Sequence, residues 1–396
     1  MTPNEQGSEP ARARARRRRL RLALFILTAS TCLFILEAGV RFDDWRNSSK
    51  PRVAPQELAL LRENGAGTGS YRLRPNLDLE TRVGTTTIRI RTNSQGMHWR
   101  ETPLLGEAGR PRVAFLGDSF TFGSWATDWA HTFVGVFESR MKEDRFEALN
   151  FGVGGYGLVD HELLLKELAL QFGPSYVIVV SYMGNDFRDT WLGLDRENIV
   201  NGTAVLNPET LASRVPAEFL NPDDRIPLPC PAPFWRRLAQ RSAAFRRLAP
   251  LLDLEDLCVL FRPNRSFLQP AFWSSLPAPG VALQARDAVF ESLSRMEESL
   301  AARGIRLAVV ALPTSAQVHA LEASKRNFDT ALPQAYLEEF CRDRKIPYLD
   351  LLPLLRKQAA SSNRRLYLRR DIHLNNFGHE RVGELIAEWF GSEVRR

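Results

Sequence analysis

The amino-acid sequence predicts an α/β protein in which a parallel sheet is covered by helices on both faces. Two observations lead to this prediction. From residue 111 onward, apolar stretches of strand length alternate with amphipathic stretches of helix length, as in consecutive βα units. One of the strand-length stretches, 176–181, is almost continuously apolar, which is typical of a strand that is buried on both faces.

The N-terminus carries most of the excess positive charge. The formal net charge is +7, and residues 1–21 hold seven Arg and two Glu, which leaves +2 for the rest of the chain. The basic pI therefore indicates targeting rather than nucleic-acid binding. We interpret 1–21 as a cytoplasmic basic tail and 22–40 as a transmembrane signal anchor that exports the remainder. The uncharged run is short for a spanning helix, so a cleaved signal peptide is the alternative.

Residues 41–110 predict a linker followed by a small β-hairpin. Within this region, 87–92 alternates between apolar and polar side chains, as a half-buried strand does, and 93–96 forms its turn. The main domain is predicted over 111–396. A long stretch rich in Pro and Trp, 187–280, interrupts the alternation, and we interpret it as a lid or a small helical subdomain.

The five predicted βα units follow one another along the main domain. The predicted strands are 112–117, 146–151, 176–181, 305–312 and 346–351. The predicted helices are 129–142, 158–171, 284–303, 332–344 and 376–390.

Four polar or glycine-rich turns stand where catalytic groups are expected. The first strand ends at Gly117-Asp118-Ser119, and in an open α/β sheet ligands bind at the carboxyl ends of the strands. A serine there needs a base, a group that orients the base, and donors for an oxyanion. The turns that supply candidates are 152–157, 184–186 and 371–375.

These four turns together resemble the SGNH, or GDSL-type, serine hydrolase family. The matching positions are Ser119 in Gly-Asp-Ser-Phe, Gly155 in Gly-Val-Gly-Gly-Tyr, Asn185 in Gly-Asn-Asp, and His373 with Asp371. The resemblance covers about 111–395 and implies a three-layer, flavodoxin-like αβα domain. The N-terminal anchor and the hairpin also resemble a bacterial, membrane-anchored branch of the family.

The resemblance implies a role for each residue. Ser119 is the expected nucleophile, and His373 the base that takes its proton and later protonates the leaving group. The backbone N–H groups of Ser119 and Gly155 and the side-chain amide of Asn185 form the expected oxyanion hole. The family usually places Asp three residues before His, whereas Asp371 stands two before His373. Either Asp371 orients the imidazole in a tighter turn, or a backbone carbonyl does so and leaves a Ser–His dyad.

Other kinds of site are weakly supported. The glycines of 152–157 match the dinucleotide-binding pattern, but they lie on the second βα unit and no acidic residue ends the following strand. Asp186 and Asp189 lack metal-ligand spacing, so we expect neither a metal nor a cofactor. Cys230 and Cys258 lie in one region and either pair in an oxidising compartment or remain free thiols.

Three functions follow from these observations. The first is a membrane-anchored, extracytoplasmic serine ester hydrolase that forms an acyl-enzyme, with its catalytic domain outside the bacterial inner membrane. The second is an O-acyltransferase or deacetylase acting on cell-envelope polysaccharide. The third is a non-catalytic glycan-binding or assembly protein, although such a protein has no need of the complete Ser, Gly, Asn and His set. The expected partners are an acylated small molecule or glycan and the membrane, and no nucleic acid.

Overall fold

The chain divides into two compact units, Met1–Arg52 with Pro227–Leu260, and Val53–Ile226 with Phe261–Arg396. The structure is a computed structural model. It describes residues 11–47, 61–63, 71–83, 86–193, 199–200, 203–204, 242, 244, 278, 280–319, 324–325, 328–368 and 371–395. Cys230 and Cys258, whose pairing the sequence leaves open, and most of the predicted 187–280 insertion lie outside these residues.

A single long helix, α1, dominates the described part of the first unit. It spans Ala11–Asn47, and its segment Leu20–Phe42 is long and apolar enough to cross a membrane by length and composition. A membrane anchor and a signal sequence both have this character. Glu37, the only acidic residue of the segment, accepts hydrogen bonds from Arg41 at 2.7 Å and from the Ser242 hydroxyl at 2.7 Å. Its charge is therefore compensated within this unit.

The second unit contains the βα alternation. Its strands are β1 Leu61–Glu63, β2 Tyr71–Leu73, β3 Asp78–Val83, β4 Thr86–Arg91, β5 Arg112–Gly117, β6 Glu147–Gly152, β7 Tyr176–Tyr182, β8 Ile199–Val200, β9 Thr203–Ala204, β10 Arg306–Leu312, β11 Ser324–Lys325, β12 Phe328–Asp329 and β13 Tyr348–Asp350. Its α-helices are α2 Ser119–Phe122, α3 Phe133–Arg140, α4 Leu158–Glu167, α5 Asp186–Gly193, α6 Gly280–Ala301, α7 Ser315–His319, α8 Leu332–Arg344, α9 Leu351–Ser361 and α10 Asn376–Trp389.

Five parallel strands form the central sheet in the order β13-β10-β7-β5-β6. Counted along the chain this is 5-4-3-1-2, the flavodoxin-like order. The direction of winding reverses between β5 and β7, so a crevice opens at their carboxyl ends. Every residue of β5 is buried, as expected for a strand covered on both faces. The structure thus confirms the predicted fold class.

Parallel strands are connected by right-handed crossovers as a rule, and this rule accounts for two layers of helices. The connection from β5 to β6 runs in one direction and the later connections run in the other, so their helices lie on opposite faces. In agreement, α3 packs against α10, whereas α6 packs against α4 and α5. The antiparallel hairpin of β3 and β4 precedes this αβα domain.

Several predicted boundaries change. The predicted helix 129–142 is a 3₁₀ turn, Trp129–His131, followed by α3, because Thr132 is extended and caps α3 by accepting from Gly135 N–H at 3.1 Å. The predicted helix 158–171 ends at Glu167 and continues as the 3₁₀ turn Ala169–Phe172.

The predicted strand 346–351 is also too long. Its place is taken by β13 and the unpredicted helix α9, which Asp350 caps by accepting from Leu352 N–H at 2.8 Å. Residues 187–193, predicted to open the insertion, belong to α5.

Candidate active site

The turn after β5 presents Ser119 at the start of the short helix α2. The Asp118 carboxylate caps this helix by accepting from Phe120 N–H at 2.9 Å. Only glycine fits at 117, because a Cβ there would lie 2.0 Å from the Thr121 hydroxyl oxygen. The strand, the tight turn and the cap together fix the position of Ser119, which is half-buried at the carboxyl edge of the sheet.

The loop after β6 packs directly on α2. A Cβ on Gly152 would lie 2.0 Å from the Phe122 backbone nitrogen, so the two backbones touch there. Farther along the loop, Gly154 lies against the Ser119 side chain and Gly155 has a left-handed backbone, with φ of +78°. Within the described residues, the backbone N–H groups of Ser119 and Gly155 have no hydrogen-bond acceptor. Both donors are therefore available to an oxyanion.

The loop before α10 brings His373 to the same edge. The loop is closed by the Leu368 N–H, which donates to the His373 carbonyl at 2.9 Å, and by an isolated bridge between Tyr367 and Leu374. The buried Tyr367 hydroxyl donates to the Pro313 carbonyl at 2.6 Å, which fastens the loop to the end of β10. The loop that carries His373 is thus closed on both sides of this residue and fastened to the sheet.

Ser119, His373 and Asp371 form one hydrogen-bonded chain. His373 Nε2 lies 2.8 Å from Ser119 Oγ, and His373 Nδ1 is hydrogen-bonded to Asp371 Oδ1. The same carboxylate oxygen accepts from the His373 backbone N–H at 3.0 Å. The two-residue spacing therefore brings the carboxylate to Nδ1, in a turn that Asp371 itself stabilises. In this arrangement Nδ1 carries the proton and Nε2 is free to accept the proton of the serine hydroxyl.

The electrostatics of the pair favour an ionised Asp371. Burial alone raises the pKa of this carboxyl, but the hydrogen bond and the charge of His373 outweigh it and bring the pKa below its ordinary value. The side chains of His373 and Asp371 are 16% and 32% exposed, so water reaches the pair from one side. On the protein side the Phe120 ring lies 4.8 Å from the imidazole.

Asn185 follows β7, on the other side of the crevice from the loop after β6. Its amide Nδ2 donates to Asp189 Oδ2 at 2.5 Å, one helical turn along α5. Asp189 in turn accepts from Arg188 at 2.7 Å. An amide nitrogen has two N–H groups, so this contact orients the side chain and leaves one donor over. Sequence reasoning considered Asp189 only as a metal ligand, although its i, i+4 spacing from Asn185 was a usable signal.

Two carboxyl groups lie buried beneath the site. Burial raises the pKa of Asp118 to about 7, and burial followed by the charge of Asp118 raises the pKa of Asp186 well above its ordinary value. Asp186 accepts from the Tyr182 backbone N–H at 2.9 Å, at the end of β7. Both groups stabilise turns that carry site residues.

The other buried histidines belong to the core. His379 Nδ1 accepts from the Phe133 N–H at 3.3 Å between α10 and α3, and burial lowers its pKa to about 3. Burial lowers the pKa of His161 to about 3 as well. Among the described residues, no group of three or more His, Cys, Asp and Glu side chains has the arrangement of a metal site.

A Ser–His–Asp chain at the carboxyl edge of a flavodoxin-like sheet is the arrangement of a serine-hydrolase type of domain. Residues 273–393 match the family model described as the SGNH hydrolase-like domain of the acetyltransferase AlgX. The matched range contains Asp371 and His373 but begins well after Ser119, Gly155 and Asn185. The similarity to an SGNH hydrolase-like domain is therefore found over the C-terminal part of the αβα unit.

The solved structures that match the chain have low sequence identity to it. The acetyl xylan esterase AlAXEase is 14% identical, with a TM-score of 0.37, over 71% of this chain and 99% of its own. A two-domain esterase active on acetylated mannans is 12% identical, with a TM-score of 0.39, over 71% of this chain and 49% of its own. A GDSL-like lipase from Bacteroides thetaiotaomicron is 12% identical, with a TM-score of 0.34, over 72% and 89%. No curated protein matches the chain.

Proposed function

We propose that this protein is a membrane-anchored serine enzyme that cleaves acyl esters through an acyl-enzyme on Ser119. The observation that carries the proposal is the continuous hydrogen-bonded chain from Ser119 through His373 to Asp371. A free serine hydroxyl is a weak nucleophile at neutral pH, and a neighbouring imidazole that accepts its proton activates it. The ionised Asp371 stabilises the imidazolium that then forms.

The reaction proceeds in two balanced halves. Ser119 Oγ bonds to the ester carbonyl carbon while its proton passes to His373 Nε2. The tetrahedral intermediate then collapses, the bond to the leaving oxygen breaks, and His373 returns the proton to the departing alcohol. Water repeats the sequence on the acyl-enzyme, which releases a carboxylic acid and regenerates the serine.

The oxyanion of each intermediate is assigned to three donors. These are the backbone N–H groups of Ser119 and Gly155 and the remaining amide N–H of Asn185. Loss of one such donor typically lowers kcat by about 10²–10³. The support for this assignment is the position of the loops after β5, β6 and β7 around one crevice.

A second candidate function is transfer of the acyl group to a hydroxyl of a cell-envelope glycan. The family match favours it, because the matching model describes an acetyltransferase. The chemistry of acylation is the same, and only the group that attacks the acyl-enzyme differs. Adding glycan oligosaccharides to the assay separates the two, since a transferase forms acylated sugar at the expense of free acid.

The catalytic domain is proposed to lie outside the cytoplasm, on the far side of the inner membrane of a bacterium. The supporting features are the apolar helix segment Leu20–Phe42 and the arginine cluster that precedes it. Reporter proteins fused at the N-terminus and after residue 396 test the topology. The proposal requires them on opposite sides of the membrane, and two cytoplasmic reporters would refute it.

The test of activity uses the full chain in detergent with short p-nitrophenyl esters. Ser119→Ala and His373→Ala should each lower the rate by at least 10³-fold. The chain also offers a matched control in His131. This histidine is exposed and forms a hydrogen bond of 2.8 Å with Asp128, but among the described residues no serine is hydrogen-bonded to it. His131→Ala should keep the wild-type rate. Equal activity of all four proteins would leave the non-catalytic, glycan-binding function as the better account.

A further inference from the structure

A cavity of about 430 Å³ lies next to the loop that carries His373. Leu368 forms part of its wall, and the Leu368 N–H donates to the His373 carbonyl at 2.9 Å. Trp125 forms another part, and the N–H of the neighbouring Ser124 donates to the Ser119 carbonyl at 3.0 Å. The wall of the cavity is therefore joined to the base and to the nucleophile by short backbone connections.

Hydrogen bonds fix the two loops that form this wall. The Thr127 N–H donates to Asn376 Oδ1 at 3.1 Å, and Asn376 Nδ2 donates back to Thr127 Oγ1 at 2.5 Å. Asn375 Nδ2 donates to the Arg365 carbonyl at 2.8 Å, and Asn375 Oδ1 accepts from the Gly378 N–H at 2.9 Å. Asn375, Asn376 and Arg365 all line the cavity. The contacts that join the loops therefore also shape the cavity.

The described lining of the cavity is positively charged. It contains Arg364 and Arg365, and none of the described lining residues is Asp or Glu. The Arg364 guanidinium lies over the Phe377 ring, 3.8 Å from its centre. Within the described part of the chain, no side chain or carbonyl accepts a hydrogen bond from this guanidinium. An aromatic face restricts a guanidinium without using its N–H groups, so these donors remain available to a ligand.

The position of the cavity assigns it to the alcohol part of the ester. In the proposed reaction, His373 returns the proton to the departing oxygen, so the alcohol leaves on the side of His373. The assigned oxyanion donors come instead from the loops after β5, β6 and β7. Because the cavity adjoins the loop of His373, a substituent of the alcohol is directed towards it.

We propose that this cavity is a subsite for an anionic group, a carboxylate or a phosphate, on the alcohol part of the ester, and that Arg364 selects it. The inference rests on the proposed serine-enzyme function and narrows its substrates to esters of acidic alcohols. Both kinds of anion accept two parallel N–H bonds from the fork of a guanidinium. Phe377 holds this fork at the wall, and Trp125 and Leu368 offer apolar surface to the body of the alcohol.

The kinetic test compares two acetate esters of similar shape, the anionic 4-acetoxybenzoate and the neutral 4-acetoxybenzamide. The ratio of their kcat/KM values measures the preference for an anion, and comparing this ratio between proteins cancels the intrinsic reactivity of each ester. Arg364→Gln should lower the ratio about fivefold, as expected for an exposed charged contact. The wild-type ratio should also fall between about 0.05 M and about 0.5 M sodium chloride, because salt screens such a contact.

Arg344→Gln is the matched control. The Arg344 guanidinium also lies over a phenylalanine, 5.1 Å from the centre of the Phe340 ring. Arg344 ends α8 just before β13 begins, and therefore lies at the edge of the sheet opposite Ser119. Arg344→Gln should keep the wild-type ratio, and Arg364→Lys, which retains the charge without the fork, should give an intermediate one. An unchanged ratio in Arg364→Gln, or an equal fall in Arg344→Gln, would overturn the proposal.

A parallel series with 4-acetoxyphenyl phosphate distinguishes the two anions. The anion whose ester loses more of its preference in Arg364→Gln is the one for which the subsite is built. Loss of preference for neither would overturn the proposal.

A binding measurement distinguishes failure of the subsite from failure of the proposed function. In the full-length Ser119→Ala protein, a ligand-observed NMR titration should show weaker binding of 4-acetoxybenzoate once Arg364→Gln is added. Equal binding, in a protein that Ser119→Ala inactivates, would overturn the subsite and keep the serine enzyme. Weaker binding, in a protein whose ester cleavage is indifferent to Ser119→Ala, would keep the anion site and refute the catalytic role of Ser119.

Discussion

Asp371→Asn tests whether the short spacing yields a functional acid. The substitution removes the charge but keeps the shape and an oxygen that accepts from His373 Nδ1 and from the His373 backbone N–H. The orientation of the ring is thus largely retained, and the loss of activity reports the charge. Asp371→Ala removes the orienting oxygen as well, so the difference between the two variants measures the contribution of orientation.

The magnitude follows from the separation and the exposure of the pair. Unit charges about 4 Å apart interact by about 4 kcal/mol at an effective dielectric constant of about 20. Each 1.36 kcal/mol corresponds to about a factor of ten in rate, so the full interaction amounts to roughly three powers of ten. Asp371 is 32% exposed, and water screens part of the interaction. We therefore expect kcat to fall by about 10²–10³ in Asp371→Asn.

Stopped-time hydrolysis of p-nitrophenyl acetate at pH 7 to 8 measures this change, with kcat and KM determined separately. KM should stay within about threefold of the wild-type value, since the charge acts on the transition state. A kcat within threefold of wild type, in a protein that Ser119→Ala inactivates, would contradict the reasoning. The site would then be a Ser–His dyad whose imidazole needs no carboxylate.

Three further predictions concern the surroundings of the site. Asp189→Asn should lower kcat about tenfold with little change in KM, because the Asn185 amide loses its charged acceptor. Steady-state kinetics measures this change, and an unaltered kcat would contradict the prediction. Gly152→Ala should lower the free energy of unfolding by about 2 kcal/mol or more, since the new Cβ meets the Phe122 backbone, and urea denaturation measures this. His161, buried with a pKa near 3, stays neutral in the folded state but is protonated below about pH 6.5 when unfolded. The wild type should therefore lose up to about 1.4 kcal/mol per pH unit relative to His161→Leu as the pH falls from about 6.5 towards 3. Parallel pH profiles of melting temperature would contradict this.

Most of the fold could be predicted from the sequence because the central strands are largely apolar, most continuously so in β7. Helix α8 begins and ends where the periodicity placed it, at Leu332 and Arg344. Helix α9 was missed, although Asp350 is a good N-cap and proline is tolerated in a first helical turn, where Pro353 stands. Several other strand ends differ by one or two residues from the prediction, because the hydrogen bonds that end a strand come from neighbours distant in sequence.

The candidate site was predictable where a residue type has a fixed place in a turn. Ser119, Asp371 and His373 meet as their turns implied. The hydrogen bonds that join Thr127 to Asn376 could not be found in this way, because they connect two loops far apart in the chain. Such a contact has no local sequence signal.

The most direct test of the central claim is to trap the acyl-enzyme. The full chain is mixed with p-nitrophenyl acetate, quenched in acid within the first turnover, and digested for mass spectrometry. One acetyl group should appear on the peptide that contains Ser119 and should be absent from Ser119→Ala. Ester turnover by Ser119→Ala at the wild-type rate, or an acetyl group stably attached elsewhere while Ser119 stays unmodified, would contradict the account.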